Sequence, residues 1–389
     1  MNISYYCQHV LGIGHFHRSM EICRVLSEKH TVTLILGGPP VEIDHSQISV
    51  LQLPGLQMDE TFQNMVPCQP GIPLEQVKSI RQKTLFQHFQ EKRPDVFITE
   101  LYPFGRKAFR FELDPVLKGI REGTLSPCLC YCSVRDILVE KTNGKEKFES
   151  KVVKTLSEFF AGILIHSDPT IITLDTTFDL YDKIDIPIHY TGFIAKQAAK
   201  TDRKRIRKKL NLKPNTKLIV ASIGGGNVGA DFLSAVVEAF HSLRVPHSHL
   251  QIFCGPYCSD NHYEKLQEGA RRNISVDRFT SRFPAWLEAA DLSLSMAGYN
   301  TCMNLVRSGI PSLVFPFEQN REQRLRAQRL GQKAPISILD KNALRPPVLA
   351  DLMRSQLQKN RLCADIMLEG ATETMRQIEL WYQRHNSHD

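Results

Sequence analysis

Apolar runs rich in Val, Ile and Leu alternate with amphipathic stretches along the whole chain, and the alternation starts twice. Short buried-strand runs separated by helical stretches argue for parallel sheets, because neighbouring parallel strands need a long crossover rather than a tight turn. In the first half, strands are predicted at 3–10, 32–37, 50–53, 96–101, 128–133 and 162–166, with helices at 16–29, 74–92 and 147–160. A run at 186–194 is followed by a polar, charged stretch, 195–209, which is the best candidate boundary. The pattern then restarts with strands at 218–223, 250–254, 274–279, 292–295 and 312–315, and helices at 230–243, 301–307 and 322–330. With 389 residues the chain is long enough for two cores, and each half opens with a strand running into a Gly-rich turn. The expected fold class is α/β: two doubly wound domains whose strand-end turns face one cleft. The last stretch, 361–385, reads as one or two helices closing back over the first domain.

Several function classes drop out early. A composition of 42% apolar and 23% charged residues is that of a soluble globular chain, and no apolar run approaches the roughly 20 residues that span a bilayer. Met1, Asn2, Ile3 and Ser4 lack a basic n-region, and Gln8 and His9 break the apolar stretch that follows, so no signal peptide is read and the cytoplasm is the expected compartment. Cys128, Cys130 and Cys132 alternate as one face of a strand would, and Cys254 and Cys258 lack a second pair at ligand spacing. They read as buried thiols rather than zinc ligands or disulfides. Part of the net charge of +8 sits in Arg203, Lys204, Arg205, Arg207, Lys208 and Lys209. That run is a solvated helix face or linker, or else a point of attraction to an anionic membrane or a phosphorylated substrate. Nothing matches a recognition helix or RNA-binding signature, so no nucleic-acid partner is expected.

Three turns carry the candidate chemistry. The first holds Gly12, Gly14, His15 and Arg18, after a strand and at the start of a helix. Glycines admit a ligand to the backbone and a helix N-terminus offers unpaired N–H groups. The third glycine of a dinucleotide fingerprint is replaced by His15, which weighs against hydride transfer. His15 suits a general base or oxyanion ligand, or simply caps the turn. Arg18, one turn on, reaches a phosphate or is surface charge. The second turn holds Gly224, Gly225, Gly226 and Asn227, a phosphate cradle of backbone amides or a hinge. It lacks the Lys-Ser/Thr pair of a P-loop. The third runs through Gly298, Asn300 and Thr301 at a helix start, with Asn304 one turn in and Glu322 and Gln323 after the next strand. These polar groups at successive strand ends suit phosphate, ribose and sugar hydroxyls. The chain has no Asp-x-Asp pair to hold a cation on a nucleotide diphosphate, so no metal and no other cofactor is expected.

At these segments the chain resembles the family 28 glycosyltransferases, typified by the bacterial peptidoglycan N-acetylglucosaminyltransferase, and within that likeness a bacterial group of predicted glycosyltransferases. The first Gly-His turn, the loop at Gly224, Gly225 and Gly226, and the run from Ser295 to Arg326 match in order and spacing, most sharply over 218–332. The segment from Thr99 through Glu100 to Arg106 also looks like that group. The resemblance implies a GT-B fold, with an acceptor-side Rossmann-like domain at 1–195, a linker at 196–209, a nucleotide-sugar domain at 210–370 and a C-terminal helix at 371–389 returning to the first domain. It implies metal-independent, inverting transfer of a hexosyl-type sugar from a nucleotide diphosphate, with a UDP-sugar as the expected donor and an unnamed acceptor. By position, Gly224, Gly225, Gly226, Asn300 and Thr301 would contact the diphosphate and Glu322 and Gln323 the sugar. His15 would lie near the diphosphate or act as the base, with Glu100 a second candidate for the base. The family's ribose-binding glutamate falls at Asn304, which lacks a carboxylate's charge-assisted bond. The first turn is also shorter than the family's. A place on the inner face of the membrane follows as a peripheral expectation.

Two other readings stand beside this one. A nucleotide-sugar hydrolase or epimerase would share the Gly-x-Gly-His-x-x-Arg turn, with His15 activating water. A non-catalytic nucleotide-sugar-binding subunit would keep the donor site and tolerate loss of His15 and Glu100.

Overall fold

A computed structural model describes residues 1–8, 14–39, 47–58, 64–138, 143–199, 201–226, 228–270, 273–317 and 321–387. The chain divides into two compact units, one of residues 1–194 with 369–389, the other of 195–368.

The first unit runs β1 (Asn2–Cys7), α1 (Gly14–Leu26), β2 (Thr31–Leu36), β3 (Ile48–Gln52), a small hairpin of β4 (Leu56–Met58) and β5 (Met65–Pro67), α2 (Leu74–Lys92), β6 (Val96–Glu100), α3 (Arg110–Arg121), β7 (Leu129–Arg135), α4 (Lys145–Phe159), β8 (Gly162–His166) and β9 (Ile188–Tyr190). Its sheet has seven parallel strands in the order β3-β2-β1-β6-β7-β8-β9. β6 and β8 are buried at every residue, which is why they read as continuous apolar runs: helices cover both faces of a parallel sheet. Alternation assigns the faces. Tyr5, Cys7, Ile98, Tyr131 and Leu164 share one core with α1, while Tyr6, Phe97, Cys130, Cys132 and Ile165 share the other with residues of α2, α3 and α4.

The second unit runs α5 (Asp202–Lys209), β10 (Lys217–Ser222), α6 (Ala230–Ser242), β11 (Ser248–Phe253), α7 (Asp260–Glu268), β12 (Ile274–Asp277), α8 (Phe283–Ala289), β13 (Leu292–Met296), α9 (Tyr299–Ser308), β14 (Ser312–Phe315), α10 (Arg321–Gly331), β15 (Ile336–Ile338) and α11 (Pro346–Gln356). Six parallel strands lie in the order β12-β11-β10-β13-β14-β15. The chain then returns to the first unit as α12 (Gly370–Asn386). There Ala371, Met375 and Ile378 enter the core beneath α1. Trp381 stacks on Tyr131 with ring centroids 5.1 Å apart and covers Gly162, where a Cβ would come within 2.9 Å of the indole.

Three of the helices the sequence does not announce carry prolines. α3 contains Pro115, α8 has a proline in its first turn, and α11 starts at Pro346. Proline reads as a breaker, yet it is tolerated in a first turn, where its missing N–H would have had no partner. The final helix is also shorter than expected: 361–369 is not helical, and α12 begins at Gly370.

The basic run is split by its own helix. Arg203 and Arg207 of α5 donate to the Ala289 carbonyl at 3.1 and 3.3 Å and pair with Asp291 at 3.3 Å each. Arg361 adds bonds to the carbonyls of Leu287, Glu288 and Ala290 at 2.7–2.9 Å. These guanidiniums satisfy the unpaired carbonyls at the C-terminus of α8. Lys204, Arg205, Lys208 and Lys209 remain exposed. No helix among the described residues is long and apolar enough to cross a membrane.

Candidate active site

In doubly wound sheets ligands bind beyond the carboxyl ends of the strands, at the point where strand order reverses. In the first unit that point lies between β1 and β6, since the chain moves from β1 to β2 on one side and later places β6 on the other. His15 and Arg18 stand on α1 just beyond β1, and Glu100 is the last residue of β6. The His15 Nδ1 lies 2.7 Å from Glu100 Oε1, and the Arg18 guanidinium donates to the same oxygen at 2.5 Å. Glu100 is fully buried and Arg18 nearly so, whereas the His15 side chain keeps 23% exposure. Two residues read separately as alternative bases thus form one dyad.

The turn after β6 holds this geometry under strain. Leu101 has φ 68° and Arg106 φ 57°, both left-handed without being glycine, which costs about 1–2 kcal/mol each. The Leu101 N–H donates to the Ser133 carbonyl and its own carbonyl accepts from Gly105, at 2.8 and 2.7 Å. Gly105 has no space for a Cβ, because the Leu101 side chain would lie 2.6 Å away.

Charge fixes the roles within the dyad. Burial alone would raise the Glu100 carboxyl's affinity for a proton, but His15, Arg18 and Arg106 outweigh it and hold the carboxyl well below its usual range. Burial pushes His15 down to about 4, against the opposing pull of Glu100. An ionised Glu100 only accepts hydrogen bonds, so His15 Nδ1–H donates to it and Nε2 carries the lone pair. The 3.3 Å between Arg18 and His15 Nδ1 reflects two donors sharing one acceptor.

Beside the dyad a buried chain of hydrogen bonds crosses the sheet. The Tyr5 hydroxyl lies 2.9 Å from Ser133 Oγ, Ser133 Oγ lies 2.7 Å from His166 Nε2, and His166 Nδ1 lies 2.9 Å from Thr191 Oγ1. Thr191 donates to the Gly192 carbonyl at 3.0 Å. With His166 neutral every proton has a place: Tyr5 donates to Ser133, Ser133 to Nε2, and Nδ1–H to Thr191. Burial, then Arg18, push His166 down to about 3.

A pH dependence of stability follows. His15 and His166 both have folded affinities below the ordinary histidine value of about 6.5. Above that pH both are neutral in either state, and their contribution is fully present. As pH falls toward 4 the unfolded chain takes up protons that the folded chain refuses. Stability should then drop by up to about 1.4 kcal/mol per pH unit per histidine. Urea unfolding between pH 4.5 and 7.5 measures this, and His166→Gln should remove part of the slope. A flat profile would contradict the buried neutral histidines.

The second unit repeats the placement, its switch point lying between β10 and β13. Gly224, Gly225 and Gly226 follow β10. Gly226 has φ 95°, and a Cβ there would lie 2.6 Å from the Cys254 carbonyl and 2.7 Å from the Cys258 nitrogen. Packing against the next turn therefore requires glycine at 226. Gly224 has no atom within 4 Å of a built Cβ, and Gly225 has only the Tyr257 ring at 3.7 Å, so these two leave the backbone open.

α9 begins after β13 with Gly298 as its N-cap, which supplies no side-chain hydrogen bond. Asn300 and Thr301 occupy its first turn, and Asn304 lies one turn beyond Asn300 on the same face. All three are half-buried. Ser295, at the end of β13, is fully buried, and its hydroxyl has no hydrogen-bond partner among the described residues. Glu322 and Gln323 sit in the first turn of α10. The Gln323 side-chain oxygen accepts from the Phe317 N–H at 3.0 Å, so part of its capacity serves the turn. Gly12 and Asn227, also expected at the site, lie outside the described residues.

Sequence reasoning overlooked two aromatics at these strand ends. Tyr257 and Phe279 are 55% and 50% exposed, and they flank a backbone bond from Gly255 N to the Arg278 carbonyl of 2.7 Å. Exposed aromatics near a Gly-rich loop are unusual enough to have served as the signal.

Known proteins resemble the chain in sequence over part of its length and in fold over nearly all of it. Residues 220–377 match the glycosyltransferase family 28 C-terminal domain. Over 199 residues the chain is 28% identical to the UDP-N-acetylglucosamine--N-acetylmuramyl-(pentapeptide) pyrophosphoryl-undecaprenol N-acetylglucosamine transferase of Halalkalibacterium halodurans, covering 47% of this chain and 48% of that one. The chain thus matches about half the length of such relatives. Solved structures align over nearly all of it. The glycotransferase of kitacinnamycin gives a TM-score of 0.63 at 15% identity over 98% of this chain and 99% of that chain. Acinetobacter baumannii MurG gives 0.56 at 13% over the same shares. Two doubly wound parallel units of this kind make up the GT-B fold of glycosyltransferases. Within that class, residues 220–377 are similar to the C-terminal domain of the family 28 glycosyltransferases.

Proposed function

We propose that the protein transfers a sugar from a nucleotide diphosphate, with UDP as the expected nucleotide, to an acceptor hydroxyl, inverting the anomeric carbon without a metal. The observation that carries this reading is the His15–Glu100 pair at the β1/β6 switch point. Glu100 holds the Nδ1–H tautomer, so Nε2 takes the proton as the acceptor oxygen forms its bond to the anomeric carbon and the bond to the diphosphate breaks. The leaving group gains negative charge. The start of α9, where Gly298 supplies no side-chain cap, the backbone of Gly224 and Gly225 and the Ser295 hydroxyl, unpaired among the described residues, suit a diphosphate there, the helix dipole favouring the anion. Asn304 would take a ribose hydroxyl, Glu322 and Gln323 the sugar, and Tyr257 or Phe279 a face of the base. Attraction to an anionic membrane would rest on the four exposed cations of α5, worth about 1 kcal/mol each near such a surface. Co-sedimentation with anionic vesicles measures it.

Gly225→Val tests the donor site. The nearest atom to a Cβ is 3.7 Å away, so the variant should fold with an unchanged melting temperature, while UDP affinity should fall by about tenfold or more. A loop serving only as a hinge would leave UDP affinity intact. Incubation with UDP-sugars then separates transfer from hydrolysis, because a hydrolase consumes donor without any acceptor.

A further inference from the structure

Arg106 stands apart from the other charged groups of the first unit. It follows the strained turn after β6, with φ 57°, and its side chain is only 15% exposed. Its guanidinium makes no hydrogen bond among the described residues, and its Nε is buried without a partner. The nearest carboxylate oxygen, Glu100 Oε2, is 3.9 Å away, beyond hydrogen-bond reach, and is likewise unpaired. Glu100 engages His15 and Arg18 through its other oxygen. Leaving buried donors unmade is costly, so a nearly buried guanidinium without protein acceptors points to an acceptor from outside.

The surroundings favour an anion. Arg18 and Arg106 together face one carboxylate, an excess of one positive charge among the described residues at this point. The first turn of α1 carries no acidic residue, so its N-terminus adds a partial positive charge. Arg106 also bears electrostatically on Tyr6 and Cys7 of β1 and on His15.

We propose that Arg106 holds an oxyanion of the substrate, a phosphate or a carboxylate, beside His15 at the β1/β6 switch point. The planar fork of arginine binds either group through two parallel hydrogen bonds. This assignment rests on the reading of His15 as the base, and it makes the substrate held by the first unit an anionic one wherever the oxyanion belongs to the acceptor. The donor's own phosphates are the other source of the same chemistry.

Calorimetric titration of the full chain with inorganic phosphate, pyrophosphate and acetate tests it. The wild type should bind at least one of them saturably. Arg106→Gln should weaken that binding about tenfold or more, and Arg106→Lys should fall between. Because Arg106 makes no hydrogen bond among the described residues, Arg106→Gln should melt within about 2 °C of the wild type in the absence of ligand. Titration at saturating UDP identifies the source: competition marks a donor phosphate, independent binding an anionic group of the acceptor. No saturable binding by the wild type, or equal binding by Arg106→Gln, overturns the proposal. The measurement needs no turnover, so an inactive base would leave it readable.

Discussion

Replacing His15 with alanine should lower kcat by about 10²–10⁴-fold, the range for loss of a positioned general base, while leaving UDP affinity unchanged. His15 lies in the first unit and the glycine loop and α9 in the second, so the variant removes the proton acceptor and leaves the residues proposed for the donor unchanged. Glu100→Gln keeps the shape but removes the charge that holds the Nδ1–H tautomer. It also strips Arg18 of its carboxylate partner at 2.5 Å. It should lower kcat as well and reduce the basicity of His15 further, since the Glu100 charge is what raises it.

The pH profile supplies the sign. His15 must be neutral to accept a proton, and it is held down at about 4. Activity should therefore persist as pH drops through 6.5, with the acid limb of kcat/KM nearer 4 to 5. Short assays after a pH jump keep unfolding from distorting that limb. A loss below tenfold in His15→Ala, or an acid limb at the ordinary histidine value, would remove His15 from the role of base.

The largest stability effect is expected far from any ligand. Arg81 and Glu112 are both fully buried. Arg81 donates to both Glu112 oxygens at 2.7 and 2.5 Å, to the carbonyls of Gly37 and Pro54 at 2.7 and 2.8 Å, and to the Gln8 side chain at 2.7 Å. The Tyr6 hydroxyl completes Glu112 at 2.5 Å. All five guanidinium N–H groups are thereby used, and Gly37 is glycine because a Cβ would collide with Gln8 and Arg81. Arg81→Ala strands a buried carboxylate with only the Tyr6 hydroxyl as donor and takes a hydrogen bond from the carbonyls of Gly37 and Pro54, and should cost about 3–5 kcal/mol. That is a large share of the 5–15 kcal/mol typical of a domain. Replacing both members, Arg81→Met with Glu112→Leu, should recover part of the loss, because no buried charge is stranded. Urea midpoints decide it: a shift under about 1 kcal/mol in Arg81→Ala would mean that water reaches the pair.

Nothing in the sequence singles out this cluster. Arg81 is one of 49 lysines and arginines, on a helix whose polar residues look like any solvated face. The same limit applies to the site. Periodicity located the strand ends and the Gly-rich turns, but it gave no sign that Gly226 is packed against Cys254 and Cys258 while Gly224 and Gly225 leave their backbone open. It read six basic residues as one run, although two of them cap α8.

The sequence by itself determined the α/β class, the two doubly wound halves, and the places where the chain leaves a strand for a Gly-rich turn. These are local properties, since burial on both faces of a strand or on one face of a helix is written in adjacent residues. The tertiary structure alone decided that His15 and Glu100, 85 residues apart, share a hydrogen bond, and that Arg106 lies 3.9 Å from Glu100 with no hydrogen bond among the described residues. That meeting depends on β6 pairing with β1 rather than with any other strand. Strand order is set by how whole helices and sheet faces pack, and it leaves no mark in the spacing of neighbouring residues.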